Sequence, residues 1–170
     1  MTQPIVIAYH LIWTGYGWWL PNDPRGSGST AIACDVLAQL GEVHHGRKPV
    51  QPPRETIAAF QAQAEELLKF DRLSFDAAQR RTVGQVIGQV IAARRYTCYA
   101  AAIMPDHVHL LIRKHRDPAE EMVGHFQQRN IELAAMLGVP HDHPIWTRGD
   151  WKVFLDHPDD VRRTIRYIVN

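Results

Sequence analysis

His107 and His109 flank Val108 in the run Met104-Pro-Asp-His-Val-His-Leu-Leu-Ile112. The alternation of these histidines with Val108, Leu110 and Ile112 predicts a β-strand. Side chains at i and i+2 of a strand share a face, so the two imidazoles, roughly 7 Å apart at the backbone, can converge on one ion. The apolar residues then point into a core. Imidazole is a common ligand for several divalent metals. An exposed histidine pair on a solvated sheet face satisfies the same spacing, and the bare motif weighs the two readings equally.

A second candidate lies near the end of the chain. Val161, Ile165 and Ile168 recur at i, i+4 and i+7, which predicts an amphipathic helix. Tyr167 falls about 130° from the middle of that stripe. Arg163 lies one turn before it on the same flank. A tyrosine turned away from the packing face, with a cation nearby, has what attack on a phosphodiester requires. It is open to substrate, and positive charge stabilises both phenolate and phosphate. On the helix pattern alone, a boundary tyrosine with its hydroxyl in water is the commoner case. Two other histidine pairs carry less. His141-Asp142-His143 sits between Pro140 and Pro144 and reads as a turn or a phosphate-facing patch. His44-His45 reads as a loop feature without a role.

The elements that must position these residues follow from pattern. Residues 4–13 read as a strand. Residues 14–30 are rich in Gly, Pro, Asn and Asp and read as a long loop, the kind that often carries function. No structure is assigned to residues 31–53, which end in Pro49, Pro52 and Pro53. A helix is expected over 54–69, and a second from a Ser74 cap to about Arg95. Val83, Val86, Ile87, Val90 and Ile91 form the buried stripe of the second, and Gly84 and Gly88 would let it approach a sheet. Thr97–Ile103 and His107–Arg113 are strands joined at Met104-Pro-Asp106, hence a hairpin. Asp117 caps a helix that carries Pro118 at its first position, runs to about Leu137 and ends at Gly138. After a connection over 139–149 come a strand, Trp151–Leu155, and a last helix opened by Asp156-His-Pro-Asp-Asp160. Setting aside the irregular stretch and one helix leaves βαββαβ plus a terminal helix. The expected fold is α+β: a ferredoxin-like split β-α-β antiparallel sheet with helices on one face and a C-terminal helix carrying Tyr167. It forms one domain over 1–170 with an irregular insertion at about 14–53.

Composition sets the bounds. The chain has 170 residues, 45% hydrophobic and 22% charged, ordinary for a single globular domain. No apolar stretch approaches the roughly 18 residues of a membrane span. The first residues lack the pattern of a signal peptide, so a cytoplasmic protein is expected. Cys34 and Cys98 are far apart and unpatterned and read as small buried residues. The net charge of +1 gives no global argument for nucleic acid. Local basic clusters do occur at Arg80-Arg81, Arg94-Arg95, Arg113-Lys114-His115-Arg116 and Arg162-Arg163, although each alone reads as a solvated helix end. Trp13, Tyr16, Trp18 and Trp19 crowd one Gly-rich segment beside Arg25, a composition suited to stacking on unpaired bases. At least two of the four are expected in the core instead.

Taken together, Ile103-Met-Pro-Asp-His-Val-His-Leu-Leu-Ile112 and Val161-Arg-Arg-Thr-Ile-Arg-Tyr-Ile-Val-Asn170 resemble the HUH single-tyrosine transposases, the REP-associated tyrosine transposases in particular. The likeness runs over residues 96–170. The segment from Trp13 to Gly26 also resembles some members' N-termini. The resemblance implies that His107 and His109 bind Mg²⁺ or Mn²⁺ and that Tyr167 is the nucleophile. It implies nicking and strand transfer on single-stranded DNA through a 5′-phosphotyrosine. The partner would be a hairpin or palindromic repeat, the protein a monomer or homodimer, with no membrane involved. Arg163, Arg166, Arg113, Arg25, Trp18 and Trp19 are the DNA contacts this reading selects. No Walker-type loop is present, and a covalent link that conserves phosphodiester energy needs none.

In one respect the chain departs from that family. Members commonly place a further metal ligand one turn after the tyrosine, whereas this sequence stops at Asn170, three residues on. Either Asn170 substitutes, another residue serves, or the sequence is a truncated form with weakened metal binding. Two further functions stay open on the sequence. One is a catalytically impaired DNA-binding module of the same fold. The other is an unrelated metal hydrolase using His107 and His109 with Asp106.

Overall fold

The computed structural model describes residues 3–170. Strand β1 (Ala8–Thr14) lies in the middle of a four-stranded sheet, beside β3 (His107–Arg113) and β4 (Trp151–Leu155), and β2 (Cys98–Ile103) pairs with the far side of β3. The order is β2-β3-β1-β4, and every neighbouring pair is antiparallel. This is the split β-α-β arrangement expected from the order of elements.

Strand alternation divides the sheet into two faces with different cores. Tyr9, Leu11 and Trp13 of β1 and Val108, Leu110 and Ile112 of β3 face one way. They pack on α2 (Ala77–Arg94), α3 (Ala119–Gln127) and α4 (Asn130–Leu137) through residues such as Val83, Val86, Met122, Phe126 and Leu133. Val108, Leu110 and Ile112 are fully buried, which stabilises the fold by roughly 1.5–3 kcal/mol each. On the opposite face Ala8, Ala100, Leu111 and Leu155 meet Ile168 of α5 (Pro158–Val169), with Val161 and Ile165 packed alongside. The terminal helix therefore lies across the sheet on the face that also carries the odd-numbered histidines of β3. No helix among the described residues is long and apolar enough to cross a membrane.

Several local expectations are corrected. The cap of α2 is Asp76 rather than Ser74. Asp76 Oδ1 accepts the Gln79 N–H (2.8 Å) and Gln79 Oε1 accepts the Asp76 N–H (3.0 Å), a reciprocal capping box that Ser74 cannot form. Neither Gly84 nor Gly88 is needed for close packing. A Cβ at Gly84 would meet Ile103 at an ordinary 3.7 Å, and one at Gly88 would meet nothing within 4 Å. Asp117 does not cap α3, because its carboxylate accepts the Tyr96 hydroxyl at 2.8 Å. The helix expected to run to Leu137 is interrupted at Gln128–Arg129. Arg129, at φ −89° and ψ 31°, leaves the helical region and donates to Gln89 Oε1 of α2. The expectation of two buried cysteines also fails: Cys34 is exposed and Cys98 half-buried.

The insertion between β1 and α1 (Arg54–Leu67) contains one short 3-10 turn, Leu37–Leu40, and is otherwise irregular. It is nonetheless built on buried polar groups. Asn22, Asp23 and Ser27 are each almost fully buried. Asn22 Nδ2 donates to the Leu37 carbonyl at 2.6 Å, and the Ser27 hydroxyl donates to the Pro21 carbonyl. These buried donors help fix one loop conformation, although Asn22 Oδ1 has no hydrogen-bond partner.

Candidate active site

β3 turns His107 and His109 to the α5 face, as their spacing predicts. Their Nε2 atoms lie 3.0 Å apart. Each ring is braced from behind. Asp106 Oδ1 lies 2.6 Å from His107 Nδ1, and His10 Nε2 lies 2.9 Å from His109 Nδ1. His10 comes from β1, where it pairs with Leu111, so it reaches His109 diagonally across the strand interface. The His10 and His109 rings stack at 5.1 Å and are 7% and 9% exposed.

The hydrogen-bond chemistry tests whether a cation fits. The Asp106 carboxylate accepts only, so it fixes the proton of His107 on Nδ1 and leaves a lone pair on Nε2. If His109 donates Nδ1–H to His10, it too presents a lone pair at Nε2, and two lone pairs face each other at 3.0 Å. That arrangement is repulsive unless a cation draws both. Adjacent corners of an octahedron with bonds near 2.1 Å are about 3.0 Å apart, so a Mg²⁺-like ion fits this pair. Without a cation the chain reverses. His109 Nε2–H donates to His107, and His10 Nε2–H donates to His109. Among the described residues no group of three or more His, Cys, Asp or Glu side chains surrounds one position, so two histidines are the whole of that donor set.

Burial and the neighbouring His107 and His10 push the His109 pKa down to about 4, and burial lowers that of His10. The hydrogen bond to His107 holds the Asp106 carboxyl below its usual range. At neutral pH His109 is therefore uncharged. A stability consequence follows with a definite sign. Between pH 6.5 and 4 the unfolded chain protonates this histidine and the folded chain does not, so stability falls as pH falls through that window. Denaturant unfolding is expected to show about 2–3 kcal/mol less stability at pH 4.5 than at pH 7 from this group. His109→Gln should flatten that loss, and an equal loss in the variant would contradict it.

Tyr167 projects from α5 above the pair and is 69% exposed. Its ring centroid lies 5.6 Å from that of His109 and 6.3 Å from that of His10, approached edge-on. A cavity of about 400 Å³ opens beside it, lined by His107, His109, Tyr167, Trp19, Arg148 and Trp151 among others. The three residues singled out for chemistry in the sequence thus meet at one opening.

The remaining residues chosen from sequence are placed differently. Arg113 is exposed at the other end of β3, six residues and roughly 20 Å from His107. Arg163 pairs with Asp160 on its own helix, and Arg166 is exposed on α5. Asn170 caps α5 through its backbone N–H on the Arg166 carbonyl and does not line the cavity. Arg25 lines the cavity, but Asp23 holds its guanidinium through Nε (2.9 Å) and Nη2 (2.7 Å). Trp18 also lines the cavity, and it donates Nε1–H to the Leu73 carbonyl under the Arg72 guanidinium. Trp13 is in the core, and Tyr16 packs against it, in line with the expectation that part of the aromatic cluster is structural. His143 does not face phosphate. It is buried between Tyr16 and Phe70, with Nδ1 and Nε2 on the Pro144 and Asp71 carbonyls. His44 braces the insertion through the Asp23 carbonyl.

His10 was not selected from sequence. Alternation puts it opposite Tyr9, Leu11 and Trp13, but its neighbour is fixed only by the β1–β3 register. His10→Phe keeps ring and burial and removes the nitrogen behind His109. Mn²⁺ affinity is expected to fall about 10- to 100-fold while the fold persists, as measured by calorimetric titration. Unchanged affinity would show that His109 needs no such brace.

The antiparallel β2-β3-β1-β4 sheet with α5 packed across one face defines a fold class. It is the fold of a REP-associated tyrosine transposase. The solved structure of such a transposase bound to a REP hairpin superposes with a TM-score of 0.50 at 11% identity, covering 99% of this chain and 68% of that one. A Deinococcus radiodurans R1 protein assigned as a candidate transposase gives a TM-score of 0.42 at 14% identity, covering 99% of this chain and 92% of that one. No protein-family model matches the chain, and no curated protein does.

Proposed function

We propose that this protein nicks single-stranded DNA and transfers the cut strand through a 5′-phosphotyrosine at Tyr167. The observation that carries the reading is the exposed Tyr167 ring 5.6 Å from His109, over the converging His107 and His109 Nε2 atoms. His107 and His109 would hold one divalent ion, Mg²⁺ or Mn²⁺. Such an ion, when bound, polarises a non-bridging oxygen of the scissile phosphate. Asp106 and His10 keep the two rings turned toward it. Tyr167 loses its hydroxyl proton to solvent, and its oxygen attacks phosphorus. The bond from phosphorus to the 3′-oxygen breaks, and that oxygen leaves as a 3′-hydroxyl after taking a proton. The new phosphotyrosine is again a diester, so the 3′-hydroxyl of a second strand can reverse the step with exchange of strands.

A hairpin with unpaired flanks is the substrate this reading favours, since the structural neighbour is a complex with a REP hairpin. The test is incubation of the protein with a labelled hairpin oligonucleotide and Mn²⁺, then denaturing electrophoresis. A band of protein-linked label is expected, absent with chelator and weak with a fully paired duplex. Label that never travels with the protein would leave a DNA-binding module without chemistry.

A further inference from the structure

The cavity beside Tyr167 extends past the histidines, and its outer wall is not part of the cleavage centre. Trp19 and Arg47 of the insertion line it together with Arg148 and Trp151. Trp19 and Trp151 are 39% and 36% exposed, whereas Trp13 and Trp146 are buried in the core. Two large indoles are thus left open to solvent in one concavity. Arg47 and Arg148 are exposed, and among the described residues neither has a carboxylate within ion-pair distance. The nearby Asp150 is neutralised by Lys152. The wall therefore offers apolar ring faces and uncompensated positive charge.

This wall is held in place before any ligand arrives. Asp23, 1% exposed, holds the Arg25 guanidinium over the Trp19 ring, 4.0 Å from its centroid. Trp19 itself sits at φ 54°, a left-handed conformation that is unfavourable for a non-glycine residue and persists only where its surroundings enforce it. The insertion also presses on the segment before β4. A Cβ at Gly28 would lie 2.6 Å from the Asp150 carbonyl oxygen, so only glycine permits that approach. Preorganised aromatic rings lose little entropy when a planar group stacks on them.

We propose that the insertion and Trp151 form a subsite for one unpaired nucleotide beside the scissile phosphate, its base stacked on the Trp19 and Trp151 indoles and its phosphate paired with Arg47 and Arg148. Aromatic rings next to Arg side chains are the chemistry that binds single-stranded nucleic acid. A duplex does not satisfy it, because stacked and paired bases offer no free ring face. The subsite depends on the cleavage reading only for which nucleotide it takes, the one adjoining the reacting phosphate.

The test uses the full chain and a short single-stranded oligonucleotide, with an abasic residue placed at each position in turn. One position is expected to stand out, where removal of the base weakens binding roughly 5- to 150-fold. Trp151→Ala should erase that positional penalty, and Trp151→Phe should retain part of it, which guards against a folding artefact. Arg148→Gln should weaken binding of intact and abasic strands alike and lower the salt slope by about one. Equal penalties at all positions, a penalty that survives in Trp151→Ala, or no binding of any strand would overturn the subsite. Its failure is separable from that of the cleavage reading. A covalent adduct without a positional penalty removes the subsite alone, and a Trp151-dependent penalty without an adduct removes the cleavage alone.

Discussion

Tyr167→Phe is expected to reduce strand cleavage to the background of a protein-free control while leaving the melting temperature and oligonucleotide affinity unchanged. The substitution removes a single oxygen. The Tyr167 side chain is largely exposed, so little packing depends on it. No hydrogen bond holds its hydroxyl among the described residues, so no buried partner is orphaned. The ring remains edge-on to His109 and His10. Loss of cleavage with affinity kept assigns the hydroxyl to the chemical step. Persistent cleavage would move the nucleophile elsewhere, to Tyr96 or Tyr99 in the first instance. Tyr96 is a poor substitute, since burial and the bond to Asp117 push its hydroxyl pKa upward, away from phenolate.

His107→Ala is expected to abolish metal-dependent cleavage and cost less than about 1 kcal/mol of stability, a combination that separates a ligand from a structural residue. His107 is half-buried and its partners are Asp106 and His109, so removing it opens no deep cavity. His109→Ala should abolish cleavage as well but cost more in unfolding free energy, because His109 is buried against His10. The contrast between the two is read by denaturant titration alongside a cleavage assay. Full Mn²⁺-stimulated cleavage in His107→Ala would contradict the two-histidine site.

The residues proposed to carry chemistry were legible because their signals are local. Alternation across His107–Ile112 needs only the strand period, and the place of Tyr167 on α5 needs only the helical one. The order of strands and helices likewise pointed to the sheet that forms. What the sequence did not disclose depends on which strands become neighbours. His10 gains its meaning from the register that sets Ile12 against His109 and so brings His10 beside that ring. The outer wall of the cavity joins residues 19 and 47 to 148 and 151, separations that no periodicity reports. The cationic residues were the least predictable. Arg163 is engaged by Asp160, an i, i+3 partner that the helical period alone sets beside it, and Arg25 by Asp23 two residues earlier, a pairing fixed by the loop conformation rather than by any period. Asp76 was missed as a cap in favour of Ser74 because both precede the same helix. The reciprocal bond from Gln79 decides between them.

The central claim is that Tyr167 becomes covalently joined to DNA, and peptide mapping tests it most directly. The protein is incubated with a single-stranded hairpin oligonucleotide and Mn²⁺, digested with protease and nuclease, and analysed by tandem mass spectrometry. The account predicts a nucleotide attached through its 5′-phosphate to the α5 peptide at Tyr167, absent when His107 is replaced by alanine. An adduct on any other residue, or cleavage of the oligonucleotide with no adduct at all, would contradict it.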